Sequence, residues 1–337
     1  MTHRIDTVVI GGGQAGLSLS YYLTQQGRDH VVLEKDRYAE SWRSKKWDSF
    51  TLVTPNRQML LPDFEYAGDD PFGFLTRDEG IQFIDDFVVT FDPPLRLGVE
   101  AKAVTGTDYG EGFRIETDAG ALEASNVVVA TGTFQRPKLP RFSQQISPGV
   151  TQLHSSLYRN PEGLPPGAAL VVGSGQSGCQ ITEELHQSGR DVYQSTSAVG
   201  RAPRRYRGKD FTWWLDQMGF LERTVDGLPS PAARFTPNPH VTGKDDGHTL
   251  NLHQFALDGV TLLGHLEDAS GSTVHTAADL HENLQTADEA AAEMKAGIDQ
   301  FIEKAGIDAP EAKESELRAG YDVPETRELD LDDAGVN

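Results

Sequence analysis

The sequence predicts an α/β protein of two parallel-sheet domains, with the second domain inserted into the first. Three observations predict it. A short β-branched run at residues 6–10 leads straight into Gly11-Gly12-Gly13-Gln14-Ala15-Gly16 and then a helix-like apolar spread. The same order recurs at residues 168–172, which lead into Gly173-Ser174-Gly175-Gln176-Ser177-Gly178. The chain of 337 residues has room for two domains of about 100–200 residues each.

Composition narrows the class further. Hydrophobic residues make up 37% and charged residues 24%, the balance of a globular chain. The net charge of −21 disfavours nucleic acid and anionic membrane surfaces as partners. Residues 279–337 concentrate the acid, with 17 acidic side chains against 5 basic ones. No run reaches the ~20 apolar residues of a membrane span, and residues 1–13 lack a basic, then apolar, leader pattern. A single cysteine, Cys179, leaves no internal disulfide, no dithiol relay and no multi-cysteine metal site. These features set the expectation of a cytoplasmic protein.

Taken in order, the first strand is too short and too β-branched to be a helix. In the turn after it, Gly11 allows a tight bend, Gly13 lets a ligand approach the backbone, and Gly16 lets the helix pack close to the strand. Gln14 and Ala15 open the helix, whose free N–H groups and positive dipole end suit a pyrophosphate. A second strand, residues 30–34, ends on Glu34, 18 residues beyond Gly16, with Lys35 beside it. A carboxylate there accepts hydrogen bonds from an adenosine ribose. Phe113-Arg114-Ile115-Glu116-Thr117 and the polar turn at 118–120 predict an antiparallel meander. Residues 124–130 then form a buried strand that ends in Ala130-Thr131-Gly132.

The second glycine turn is followed by a helix to about residue 187 and a strand over 191–195. No acid ends that strand. Ser195, Thr196 and the basic loop containing Arg201, Arg204 and Arg205 stand in its place. Hydroxyl and guanidinium groups suit a ribose 2′-phosphate, which a carboxylate would repel. The second turn, with Gly173, Gly175, Gln176, Ser177 and Gly178, therefore reads as an NADP(H) site. The first reads as a site for an ADP moiety without that phosphate. FAD held at the first turn and NADPH at the second is the economical pairing. The domains are then an FAD domain at 1–140, an NADP domain at 141–309 and an acidic return to the FAD domain at 310–337. His240, His248 and His253 lack tight ligand spacing, so no metal is expected.

These Rossmann-like motifs resemble those of group B flavin-dependent monooxygenases, which include flavin-containing monooxygenases, plant YUCCA enzymes, Baeyer–Villiger enzymes and bacterial proteins known as predicted oxidoreductases. Ser41-Trp42-Arg43 with Thr54-Pro55-Asn56 resembles the family's Gly-x-Trp-Arg segment and the loop after it. The resemblance places Trp42 and Arg43 at the cofactor and makes Asn56 the candidate catalytic residue near the flavin. His154-Ser155-Ser156-Leu157-Tyr158 matches the second half of the family fingerprint. Pro148 and Val150 stand where its first half has Phe and Gly. The resemblance implies an NADPH-dependent FAD monooxygenase that oxidises a small organic nucleophile or carbonyl with dioxygen, through a flavin C4a-hydroperoxide. An NADPH-dependent flavoprotein reductase without oxygen insertion, or a non-catalytic nucleotide-binding or redox-sensing relative, are the alternatives. Family members carry a further strand after the point where this sequence stops, so the resemblance also implies weak FAD retention.

Overall fold

The computed structural model describes residues 4–107, 110, 112–313 and 324–337. Two compact units divide the chain: residues 1–138 with 156–158, and residues 139–155 with 159–337.

In the first unit, β1 (Ile5–Ile10), α1 (Gln14–Gln25) and β2 (His30–Glu34) keep the predicted order. Next come the short α2 (Glu40–Ser44), a hairpin of β3 (Leu60–Leu61) and β4 (Phe64–Glu65), and α3 (Arg77–Phe91). The chain continues through β5 (Leu95–Leu97), β6 (Ala101–Gly106), β7 (Phe113–Thr117) and β8 (Gly120–Val129). The sheet order is β5-β2-β1-β8-β7-β6. β1 pairs in parallel with both β2 and β8, so it sits where the strand order reverses. Crevices at such reversal points open at the carboxyl ends of the strands. β6, β7 and β8 form the expected antiparallel meander.

Val8, Val9 and Val32 are fully buried, which explains their near-continuous β-branched runs. α1 lays Leu17 and Tyr21 against Phe87 of α3 and its neighbours. α3 starts cleanly because Thr76 and Glu79 form a capping box: the Thr76 hydroxyl accepts from the Glu79 N–H, and the Glu79 carboxylate accepts from the Thr76 N–H at 2.8 Å.

The second unit opens with β9 (Ala169–Val172), α4 (Gln176–Gln187) and β10 (Val192–Ser195). A hairpin of β11 (Arg205–Tyr206) and β12 (Lys209–Asp210) leads into α5 (Phe211–Gln217). Then come α6 (Leu252–Asp258), β13 (Thr261–Leu263), β14 (Leu266–Ser270) and β15 (Thr273–Thr276). The 26-residue α7 (Leu280–Ala305) and β16 (Glu328–Asp330) complete the described elements. β9, β10 and β13 make a parallel sheet in the order β13-β10-β9. α7 buries Ile298 and Ile302 with Trp214 of α5, and Met294 and Phe301 pack beside them. No helix among the described residues is long and apolar enough to cross a membrane.

The C-terminal segment differs from the expectation that 310–337 returns to the first domain. β16 pairs antiparallel with β15, and Val336 bridges to Ala168. Leu331 and Val336 are buried with Leu266, Ala269 and Val274. The reason is apolar burial: these two side chains close the open face of the β14–β15 hairpin. Leu331 is 1% exposed, so Leu331→Ala should destabilise the second unit by about 2–5 kcal/mol. Hydrogen exchange should accelerate in β14, β15 and β16 and stay unchanged in β1, β2 and β8. Faster exchange in the first sheet instead would contradict this placement.

Candidate functional site: two glycine turns

At the first turn the backbone leaves β1 at Gly11 with φ of +115°. A Cβ on Gly11 would lie 2.5 Å from the Ala130 carbonyl oxygen, because Ala130 at the end of β8 donates its N–H to Ile10 at 2.8 Å. A Cβ on Gly16 would lie 1.9 Å from the Gly11 carbonyl oxygen. These two contacts press the start of α1 against the strand ends. Gly13 is different, since nothing lies within 4 Å of where its Cβ would be. That open space sits at the helix N-terminus, the place for a pyrophosphate.

α1 has no capping side chain and no acid in its first turn. In contrast, Asp210 caps α5 and Asn251 caps α6, as Thr76 caps α3. The first N–H groups of α1 are thus left without a side-chain acceptor, as an anion site requires. Gln14, Ala15, Thr131 and Gly132 are exposed around it. Glu34 holds the turn from the other side. Its carboxylate accepts from the Gly12 N–H at 2.8 Å and the Asp36 N–H at 3.0 Å. A carboxylate offers about four acceptor positions, so capacity remains for ribose hydroxyls. Lys35 is exposed beside it.

The expected flavin-side residues divide. Asn56 is buried, and its Nδ2 donates to the Asp70 carbonyl at 2.9 Å. Its Oδ1 is buried without a partner among the described residues. Trp42 and Arg43 brace the segment around α2. Trp42 packs edge-on to Phe50 in the core, and the Arg43 guanidinium pairs with Asp85 of α3 and donates to the Tyr38 carbonyl. Their side chains join α2 to α3.

The second turn repeats the first. Gly173 has φ of +103°, and a Cβ on Gly178 would lie 2.0 Å from the Gly173 carbonyl oxygen. Nothing lies within 4 Å of a Cβ on Gly175. α4 has neither a capping side chain nor an acid in its first turn. Gln176 and Gln180 on α4 donate to the carbonyls of Pro239 and Val241, so residues 239–241 cross the helix. Ser177 is half-buried. Behind the turn, Cys179 donates to the Ser174 carbonyl, and complete burial pushes its thiol up to about 12.

The residues expected to read a 2′-phosphate are mostly engaged inside the fold. The Ser195 hydroxyl donates to the Gly264 carbonyl and accepts from the Leu266 N–H. Thr196 donates to the Leu263 carbonyl and accepts from Asn283. Arg204 is 1% exposed, ion-paired to Asp210 at 2.7 Å and stacked on Phe211. Arg205 pairs with Asp246 and donates to the Gly247 carbonyl. A buried guanidinium needs such an acid, so the basic loop braces the second unit. Arg201 alone of the three lies beside the turn. It pairs backbone-to-backbone with His240, whose Nδ1 bonds the Ser174 carbonyl at 3.2 Å.

Comparison with known proteins sets this geometry in a family. A family model described as pyridine nucleotide-disulphide oxidoreductase matches residues 8–216. The chain belongs to that oxidoreductase family. An uncharacterized oxidoreductase, CzcO-like, of Geobacillus kaustophilus is 39% identical over 223 residues, which cover 66% of this chain and 63% of the relative. The probable indole-3-pyruvate monooxygenase YUCCA10 of Arabidopsis thaliana is 29% identical, over 60% of this chain and 54% of its own. The chain thus spans less than two thirds of either relative. A flavin-containing monooxygenase from Stenotrophomonas maltophilia shares the fold, with a TM-score of 0.54 and 19% identity over 90% of this chain and all of that one. Flavin monooxygenases among these matches agree with the resemblance carried by the glycine turns. The chain has one cysteine, and burial keeps its thiol protonated and out of reach of a redox partner.

His240 gives the second unit a measurable acid sensitivity. Burial, with Arg201 adding repulsion, pulls its pKa down to about 4. The ring is neutral, with the proton on Nδ1, because a carbonyl can only accept. Between the ordinary histidine value of about 6.5 and about 4, the unfolded chain binds a proton that the folded chain refuses. Stability therefore falls as pH drops through that window, by about 3 kcal/mol in all. His240→Gln should flatten this part of the profile in urea unfolding between about pH 7 and about pH 4.5. An unchanged slope would show that His240 titrates normally.

Proposed function

We propose that this chain is an NADPH-dependent flavin monooxygenase that acts on a small organic nucleophile or carbonyl, with FAD at the first glycine turn and NADPH at the second. One observation carries the reading: two separate glycine turns, each at the carboxyl end of a parallel sheet, each with open space before the middle glycine and an uncapped helix behind it. Glu34 suits a ribose without a 2′-phosphate, since its charge repels one. No acid occupies the corresponding place after β10. The name of the Arabidopsis relative supports oxygen insertion over simple electron transfer.

Bound together, FAD and NADPH would supply a route for two electrons to dioxygen. The chain's own residues bind and orient. The N-termini of α1 and α4 hold the pyrophosphates through backbone N–H groups. Glu34 fixes the first ribose while keeping the turn closed through Gly12. Asn56 is the positioning candidate on the flavin side. Its Nδ2 is held by the Asp70 carbonyl, so the unpartnered Oδ1 would be the acceptor it offers to a bound flavin.

Gly13→Ala and Gly175→Ala test the assignment. A Cβ at either position meets no protein atom within 4 Å, so folding should be unaffected. The same methyl would fill the space where the pyrophosphate approaches. Gly13→Ala should weaken FAD at least tenfold, roughly 1.4 kcal/mol, and leave NADPH alone. Gly175→Ala should do the reverse. Flavin fluorescence titration and calorimetry read the two separately. Wild-type affinity of Gly13→Ala for FAD would remove FAD from the first turn.

A further inference from the structure

Arg201 is held by a partner that a phosphate could replace. It lies beyond β10, and the His240 N–H donates to the neighbouring Gly200 carbonyl at 2.9 Å. The ring of His240 rests on Ser174 of the second glycine turn, so Arg201 borders that turn. Its side chain reaches α7. Nε and Nη2 both donate to one oxygen of Asp288, at 3.0 and 2.8 Å. Nη1 stays outside this pair. The second Asp288 oxygen accepts from His253 Nε2 at 3.0 Å. Lys295, seven residues along α7 from Asp288, is close enough to Arg201 to be repelled by it.

We propose that Asp288 sets the choice between NADPH and NADH: its carboxylate holds Arg201 when no nucleotide is bound and yields it to the 2′-phosphate of NADPH. This rests on the reading of the second turn as a nucleotide site. Three observations favour it. Asp288 is the most open member of the group, with its side chain 31% exposed against 10% for Arg201 and 9% for His253. Releasing Arg201 does not strand it, because His253 and water remain as partners, whereas a buried carboxylate left alone would resist the exchange. The other expected phosphate ligands are engaged elsewhere: Arg204 is sealed against Asp210, and Arg205 is held by Asp246 and the carbonyl oxygens of residues 246 and 247. The carboxylate also repels an incoming phosphate directly, so its charge lowers NADPH affinity twice, by competition and by repulsion.

The test is Asp288→Asn in the full chain, which keeps an oxygen for Arg201 but removes the charge. NADPH, NADH and 2′,5′-ADP are the probes, read by calorimetry. NADPH and 2′,5′-ADP should tighten roughly tenfold, about 1.4 kcal/mol, while NADH should move less than about twofold. Arg201→Gln is the second variant and should erase the preference for NADPH while NADH binds as before. It keeps the test decisive should Asp288→Asn fail to fold. If wild type binds both nucleotides and Asp288→Asn tightens neither, or both alike, the role of Asp288 falls and the nucleotide site stands. A preference that persists in Arg201→Gln overturns it equally. If wild type binds neither nucleotide nor 2′,5′-ADP, both readings fall.

Discussion

Everything at the two candidate sites depends on a backbone contact with no side chain in it. In each turn the last glycine, Gly16 or Gly178, lies against the carbonyl oxygen of the first, closer than any Cβ could come. That contact fixes how the helix leaves the strand. Once the helix starts there, its N-terminus faces the end of the sheet, and its first N–H groups have no capping side chain. Among the other helices, α3, α5 and α6 are closed by Thr76, Asp210 and Asn251, whereas α2 and α7 lack a capping side chain but carry an acid, Glu40 or Glu282, in the first turn. Among the described α-helices, α1 and α4 alone lack both a capping side chain and an acid in the first turn, which leaves their polar backbone N–H groups open.

Around the second turn, charge is arranged for bracing as much as for binding. α7 contributes Asp288 to Arg201 and Asp299 to Arg207 and Tyr206. Asp210 serves Arg204 from the adjoining hairpin. An acidic helix laid along a basic loop neutralises it locally while the chain as a whole stays strongly negative. The pairs differ in openness. The Arg204–Asp210 pair is shut away from water, where breaking it would leave an uncompensated charge. The Arg201–Asp288 pair keeps one edge in solvent and can trade partners.

The glycine turns, the strand that ends on Glu34 and the meander are legible in the sequence, because each is written in local spacing. Met294, Ile298, Phe301 and Ile302, at helical spacing, line the side of α7 that packs with Trp214. The arginines are less legible. Their number is visible, but Arg201 meets its acid 87 residues away and Arg207 meets its own 92 residues away. No local pattern reports such a pairing, so an internal brace looks like a free basic patch. The nearer signal is Asp210, six residues after Arg204, which also caps α5. The ion pair of Arg43 escapes a local reading for the same reason: Asp85 lies 42 residues on, in α3. Family resemblance directs the C-terminal strand toward the first domain, whereas the burial of Leu331 and Val336 decides where it packs.

Cys179 carries one consequence of this packing into practical use. Its sulfur lies beneath the second turn, hydrogen-bonded to Ser174 and 3.6 Å from the Gln194 amide, with no access from water. A thiol so placed reacts with an electrophile only when α4 lifts away from the sheet. With no other thiol in the chain, the rate of covalent labelling is a clock for that single opening event. The fold thus carries an intrinsic reporter of local breathing at the second turn, readable by mass without engineering any probe into the protein.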